Sequence, residues 1–213
     1  MESVREKYAE NTRQTLFDTA LRLFAERDYA DLSAEELVRA AGLTRGALYH
    51  HFDGKRGLFE AVMSELEGRA AQRIRAATAT SSDPFERADR GVAEFLNICT
   101  EHDYRQIVLL QGPLALGWQR WRELDQQHLG GLVVDAVRTL LDAELIRPHP
   151  AELVASAFYG ALTELSLTIA DTDHPDRTRA QATRLIRDLL GGLAAGAART
   201  VTSAAGSVHG DGP

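Results

Sequence analysis

From Thr12 onward, apolar residues return every three or four positions, segment after segment, and nowhere alternate over the length of a strand. That period is the 3.6-residue repeat of a helix with one buried stripe, which restricts the chain to an all-α fold. Leu16, Phe17, Ala20, Leu23 and Phe24 mark the first stripe, over about 12–27. The next segment, LSAEELVRAAGLT, is short: Ser33 followed three residues later by Glu36 reads as a capping box, and Gly42 is a left-handed stop. Thr44 caps a third helix of barely two turns, Arg45 to about His51, which FDGK breaks. A longer helix opens near Lys55 and carries Leu58, Phe59, Val62, Met63 and Leu66 at helical spacing.

Two short helices joined by a Gly-containing turn and braced by longer ones form a helix-turn-helix, whose second helix enters a DNA major groove. The pattern sends Leu32, Leu37, Val38, Ala41, Leu43, Leu48 and Phe52 inward and leaves Arg45, Gly46, Ala47, Tyr49 and His50 largely outside. The net charge of −7 excludes binding DNA with the whole surface. Between Leu43 and Gly57, however, Arg45, Lys55 and Arg56 face only Asp53, so positive charge is concentrated on one small face.

Beyond this unit the helical pattern continues over about 84–101, 104–111, 118–145, 151–170 and 177–199, and residues 201–213 read as a disordered tail. The divisions expected are a DNA-binding domain at 1–63 and an effector-binding and dimerisation domain at 64–200. Trp118 and Trp121 follow the helix-breaking GPLALG and fit either core filling or a pocket wall between bundle helices. Phe95, Cys99, Tyr104, Leu110, Gln111, Phe158, Tyr159 and Thr163 are further pocket candidates, the polar ones to orient a largely hydrophobic small molecule. In the last two helices, stripes containing Ala161, Leu165 and Ile169 and then Leu185, Ile186, Leu189 and Leu193 exceed what the remaining chain can cover. They fit a symmetric four-helix interface between two copies, with internal packing as the other reading.

The run LFDTALRLFAERDYADLSAEELVRAAGLTRGALYHHFDGKRGLFEAV, and within it AAGLTRGALYHHF followed by GK and L, resembles the TetR family of bacterial transcriptional repressors. The resemblance implies a homodimer with an N-terminal DNA-binding domain and a C-terminal helical domain that takes a small molecule. It places Arg45 and Gly46 at base edges, Ala47 close to the DNA, and Tyr49, His50 and Lys55 at phosphates. Arginine's fork suits guanine, and Lys55 at a helix start adds charge to backbone N–H donors. Ser33 and Thr44, at two other helix starts, are also candidates for phosphate contacts. Asp28 stands where the family usually has glycine, which is expected to alter the end of the first helix slightly.

The expected partners are therefore double-stranded operator DNA, a second copy of the chain and an unidentified small-molecule effector, with no cofactor, metal or membrane. A regulator of the same fold switched by a partner protein is the alternative. An enzyme is not expected, because no nucleophile–base pair, metal-ligand cluster or phosphate loop has useful spacing. His50 and His51, adjacent on a helix, point about 100° apart and are poorly placed to share one ion. Lone Cys99 excludes an intramolecular disulfide and sits among apolar neighbours; no run approaches the roughly 18 apolar residues of a membrane span. A cytoplasmic location is expected.

Overall fold

The computed structural model describes residues 4–194, and among them helices build the whole architecture. The first, α1 (Val4–Glu26), starts a full two turns before its apolar stripe does. After a single 3-10 turn at Tyr29–Asp31 come α2 (Ala34–Ala40), α3 (Arg45–Phe52) and α4 (Gly54–Thr78). Ser33 Oγ accepts the Glu36 N–H, and the Glu36 carboxylate accepts the Ser33 N–H at 2.9 Å, completing the capping box. Gly42 turns the chain at φ +67°, where any side chain would be strained. Gly57 is needed for a different reason: a Cβ there would stand 1.6 Å from the Phe52 carbonyl oxygen, so α3 and α4 meet backbone to backbone. Asp28 is extended (φ −63°, ψ 142°), a conformation open to every L residue, so this position does not require glycine.

Leu16, Ala20 and Phe24 of α1, Leu37 of α2, Leu48 of α3 and Leu58, Phe59 and Val62 of α4 pack together with essentially no exposure. Phe24 meets Phe59 edge to face at 5.0 Å and 72°. Burying each such side chain contributes about 1.5–3 kcal/mol, enough to hold two very short helices that would not persist alone.

The second half begins on the same α4, whose 25 residues make a rod of roughly 37 Å packed along α5 (Pro84–Ile98). Asp83 caps α5 by accepting the Glu86 N–H at 2.7 Å, with Pro84 at the first helical position. A π-helical element follows at Tyr104–Gln111, then α6 (Gly112–Leu116) and α7 (Trp118–Asp125). The single helix expected over 118–145 is instead α7, a π-helical turn at Gln126–Gly130 and α8 (Gly131–Asp142). Two long helices, α9 (Ala151–Asp171) and α10 (Pro175–Gly192), complete the bundle. The only strand-like feature among the described residues is one bridge between Ile146 and Ala194.

Contrary to the sequence expectation, α9 is long and apolar enough to cross a membrane, with mean hydropathy 1.4 over its most apolar window. Its apolar surface is accounted for differently: Leu162, Ile169 and Ala170 lie in the core, and the helix packs on α8, α10 and the π-helical element. The tail expected at 201–213 lies outside the described residues.

Candidate nucleic-acid interface and effector cavity

Helix α3 exposes one face. Leu48 and Phe52 point into the core, while Arg45, Gly46, Tyr49 and His50 are exposed and Ala47 is half-buried. Arg45 is held in place at this surface: Nη1 donates to Glu35 Oε1 at 2.6 Å, Nη2 reaches Tyr49 Oη at 3.4 Å, and the guanidinium lies over the Tyr49 ring. These contacts raise its already high pKa, the Tyr49 hydrogen bond first and the Glu35 charge next. At Gly46 an added Cβ would meet, among the described residues, only Thr44 Oγ1, at 3.8 Å, so none of them demands a glycine there.

Thr44 Oγ1 accepts the Ala47 N–H at 3.3 Å, and its own O–H stays available at the exposed start of α3. The Ser33 hydroxyl is more occupied, since it also donates to Glu36 Oε2 at 2.8 Å. Those hydrogen bonds, with one from Arg27, hold the Glu36 carboxyl down to about 2.

Lys55 differs from the phosphate-facing position implied for it. Its Nζ donates to the Tyr29 and Leu32 carbonyl oxygens, both at 2.7 Å, and sits 3.8 Å from the Tyr29 ring centroid. Partial burial lowers its pKa, against the pull of Glu36. In this arrangement the lysine closes the turn between α1 and α2 from inside. Glu35, which the sequence reading passed over, is the acidic partner on the α3 face.

Side-chain hydrogen bonds join this unit to the rest of the molecule. Gln111 accepts the Tyr29 N–H at 2.8 Å and donates to the Phe24 carbonyl at 2.8 Å, capping the end of α1. Arg56 donates to the Leu116 carbonyl at 3.1 Å, and a His102 ring nitrogen lies 3.1 Å from the Ala25 carbonyl. Gln111, expected to orient a ligand, is therefore a junction residue in this structure.

A cavity of about 330 Å³ opens between α4, α5, α7, α8, α9 and α10. Of the ten pocket candidates it brings together Phe95, Trp121, Phe158, Tyr159 and Thr163. Cys99 is fully buried in the core, where burial pushes its thiol pKa well up, and Leu110 packs against that core. Tyr104 donates its O–H to Glu67 at 3.1 Å, also within the core. Trp118 is 54% exposed and rests on Trp121 with ring centroids 4.9 Å apart. Trp121 Nε1 donates to the Val108 carbonyl at 2.8 Å, which holds the indole against the cavity floor.

The floor carries polar groups that the sequence reading did not find. Asp125 lines the cavity and accepts the Tyr159 hydroxyl on Oδ2. Arg122 stacks on the outer face of Tyr159 at 4.5 Å and donates to Thr163 Oγ1 at 3.0 Å. Burial raises the pKa of Asp125, with Tyr159 and Arg122 pulling it back; Tyr159 is raised, first by burial and then by the Asp125 charge.

On the outside of the bundle, Leu185 and Leu189 of α10 are 48% and 49% exposed, and Leu153 of α9 is 68% exposed. Ala161, Leu165 and Leu193 are half-buried. Ile169 and Ile186, assigned to the same surface by their spacing, lie inside the protomer's own core at 0% and 2% exposure.

Known proteins share this arrangement. Residues 16–62 match the family model for bacterial regulatory proteins of the tetR family, and residues 85–193 match that for the tetracyclin repressor-like C-terminal domain. The HTH-type transcriptional regulator AcrR of Shigella flexneri is 46% identical over 64 residues, 30% of each chain. SrpR of Pseudomonas putida is 43% identical over 59 residues, so the aligned segment covers under a third of these curated relatives' own length. A TetR-family regulator from Pectobacterium atrosepticum is similar almost throughout: 31% identity and TM-score 0.77, over 89% of this chain and 97% of that one. FadR of Bacillus subtilis, solved with stearoyl-CoA, shares the fold at 16% identity and TM-score 0.68, over 83% and 96% of the two chains. A helix-turn-helix unit and a helical bundle matching both models, in the order seen along this chain, place it in the TetR family of bacterial regulatory proteins.

Proposed function

We propose that the chain is a homodimeric, effector-responsive regulator that binds a near-palindromic operator in the cytoplasm and represses until a small molecule releases it. Residues 1–63 serve DNA and residues 64–200 serve the effector and the second subunit. The observation that carries the reading is the exposed face of α3, where Arg45, Gly46, Tyr49 and His50 stand out from the packed core and Arg45 is engaged, among the described residues, only by the exposed Glu35 and Tyr49 side chains.

Magnitudes favour the exchange that DNA binding needs. The exposed Arg45–Glu35 pair is screened by water and contributes little. An arginine forked onto guanine discriminates by about 1–3 kcal/mol, so the guanidinium gains by leaving Glu35 for a base edge. Gly46 and half-buried Ala47 let the helix approach closely, while Thr44, Tyr49 and His50 sit at the edges where phosphates pass. Ser33 and Lys55 contribute by fixing the turn and aiming the N–H groups of α2 and α4, with any phosphate contact from them secondary.

Leu153, Leu185 and Leu189, with Ala161, Leu165 and Leu193 beside them, form the apolar surface for a second copy. Two reading helices then stand about 34–36 Å apart, one turn of DNA. Because α4 borders both α3 and the cavity, a ligand that displaces it changes that spacing. The cavity favours a small molecule over a partner protein as the signal.

Selection from random duplex DNA tests the proposal. The expected product is a near-palindrome bound by dimers, with half-site centres about one turn apart. Recovery of no enriched sequence would overturn it.

A further inference from the structure

The reading of the cavity as the effector site leaves open what chemistry it accepts, and its floor narrows the choice. The walls are apolar: Phe95, Leu129, Val133, Phe158 and Leu162. The rim is polar and exposed, with Arg75 and Arg87 opposed by Asp135, a mixed surface that water screens. Among the described residues, only Asp125 brings a charge to the buried interior of the cavity, at 7% exposure. Tyr159 occupies Oδ2, and among the described residues no side chain is bonded to Oδ1. The nearest cation, Arg122, lies behind the cavity wall, against Tyr159 and Thr163.

A second carboxylate stands behind the first. Glu67 of α4 has no exposed surface; Oε2 accepts the Tyr104 hydroxyl and Oε1 is without a partner. Burial and, after it, the Asp125 charge push the Glu67 pKa well up. A neutral apolar ligand entering the cavity would strip water from Asp125 and leave an unpaired buried oxygen, and an anionic one would add repulsion. A protonated amine supplies a charge-assisted hydrogen bond at that oxygen and offsets the negative charge that Asp125 presents to Glu67.

We propose that the cavity takes a lipophilic organic cation, its apolar body between Phe95, Phe158 and Leu162 and its ammonium group on Asp125. This rests on the effector-site reading above. It also links ligand to lever, because Glu67 belongs to α4: a cation on Asp125 lets Glu67 lose a proton to solvent, altering the charge inside the helix that carries the DNA-reading unit. No covalent step is involved; one proton leaves the protein as one cation enters.

Three probes with one apolar body separate the possibilities: 4-phenylbutylamine, 4-phenylbutanol and 4-phenylbutyrate, titrated calorimetrically into the full-length protein at neutral pH. The amine is expected to bind at least tenfold more tightly than the alcohol, and the acid more weakly than the alcohol. The heat of amine binding should vary with the ionisation enthalpy of the buffer, reporting released protons. Asp125→Asn should bring amine and alcohol within about threefold of each other, with alcohol affinity retained as the sign of an intact cavity. Glu67→Gln, which keeps the packing of the core, should abolish the proton release and weaken amine binding several-fold. Equal binding of the three probes, or tightest binding of the acid on the rim arginines, overturns the cation assignment and leaves the effector site standing. Failure of all three to bind at millimolar concentration removes the site and the assignment together.

Discussion

Arg45 Nη1 lies 2.6 Å from Glu35 Oε1, an ion pair between α3 and α2 on the face that points away from the core. Both side chains are more than half exposed, at 62% and 58%. The carboxylate holds the guanidinium extended in the absence of DNA and repels phosphates as they approach. Glu35→Gln should therefore strengthen binding to all DNA sequences, by roughly 0.5–1 kcal/mol at low salt, with the advantage shrinking as salt rises. Fluorescence anisotropy on specific and scrambled duplexes measures it; weaker binding to both would mean that Glu35 itself contacts DNA.

Lys55 faces inward, so its removal should act on folding. Lys55→Met leaves the Tyr29 and Leu32 carbonyls without their ammonium donor and should cost about 2 kcal/mol of stability. The slope of log affinity against log salt should stay the same for the folded variant. A fall of about one unit in that slope would return Lys55 to a phosphate.

Leu185→Arg combined with Leu189→Arg should yield folded monomers with poor operator affinity. On a lone protomer both arginines reach water; facing their symmetry mates they would be buried without partners, at several kcal/mol. Light scattering distinguishes the outcomes, and an intact dimer would place the interface elsewhere.

Much of this was legible from the chain. The helix-turn-helix was, because Ser33, Gly42 and Thr44 are local signals whose chemistry acts within three residues. The apolar surface proposed for a second copy was legible only in part. Leu185 and Ile186 are consecutive and point about 100° apart, so one stripe does not hold both; Ile186 turns inward and Leu185 outward. Ile169 shares a face with Leu165, but α9 lays that end against the π-helical element. The pocket was least legible. Two π-helical stretches, at Tyr104–Gln111 and Gln126–Gly130, shift the helical phase in a way that periodicity does not register. Gln111 is thereby carried to the α1 junction and Asp125 to the cavity floor. The inward contacts of Lys55 were not legible, because its two acceptors are backbone carbonyls more than twenty residues away and leave no mark in composition.

Glu67 gives the molecule a pH dependence of defined sign. Burial, with Asp125 nearby, raises its pKa well above 4.5, so the folded protein holds this proton to higher pH than the unfolded chain does. Its favourable contribution is complete below the unfolded value and declines as pH rises toward the folded one. Glu67→Gln should accordingly raise the thermal midpoint at pH 8 relative to the unaltered protein, with the difference shrinking toward pH 5. Differential scanning calorimetry across that range checks the sign; a variant that loses stability equally at both pH values would show that the ionisable group is not the cause.

The most direct measurement compares binding profiles of the unaltered protein and Arg45→Ala on every single-base variant of the selected operator, with circular dichroism and sizing confirming a folded dimer. Loss of about 1–3 kcal/mol on the parent operator is expected, with base preference relaxed at one position per half-site and unchanged elsewhere. Identical profiles, or an equal loss at all sequences, would contradict base reading by the exposed face of α3.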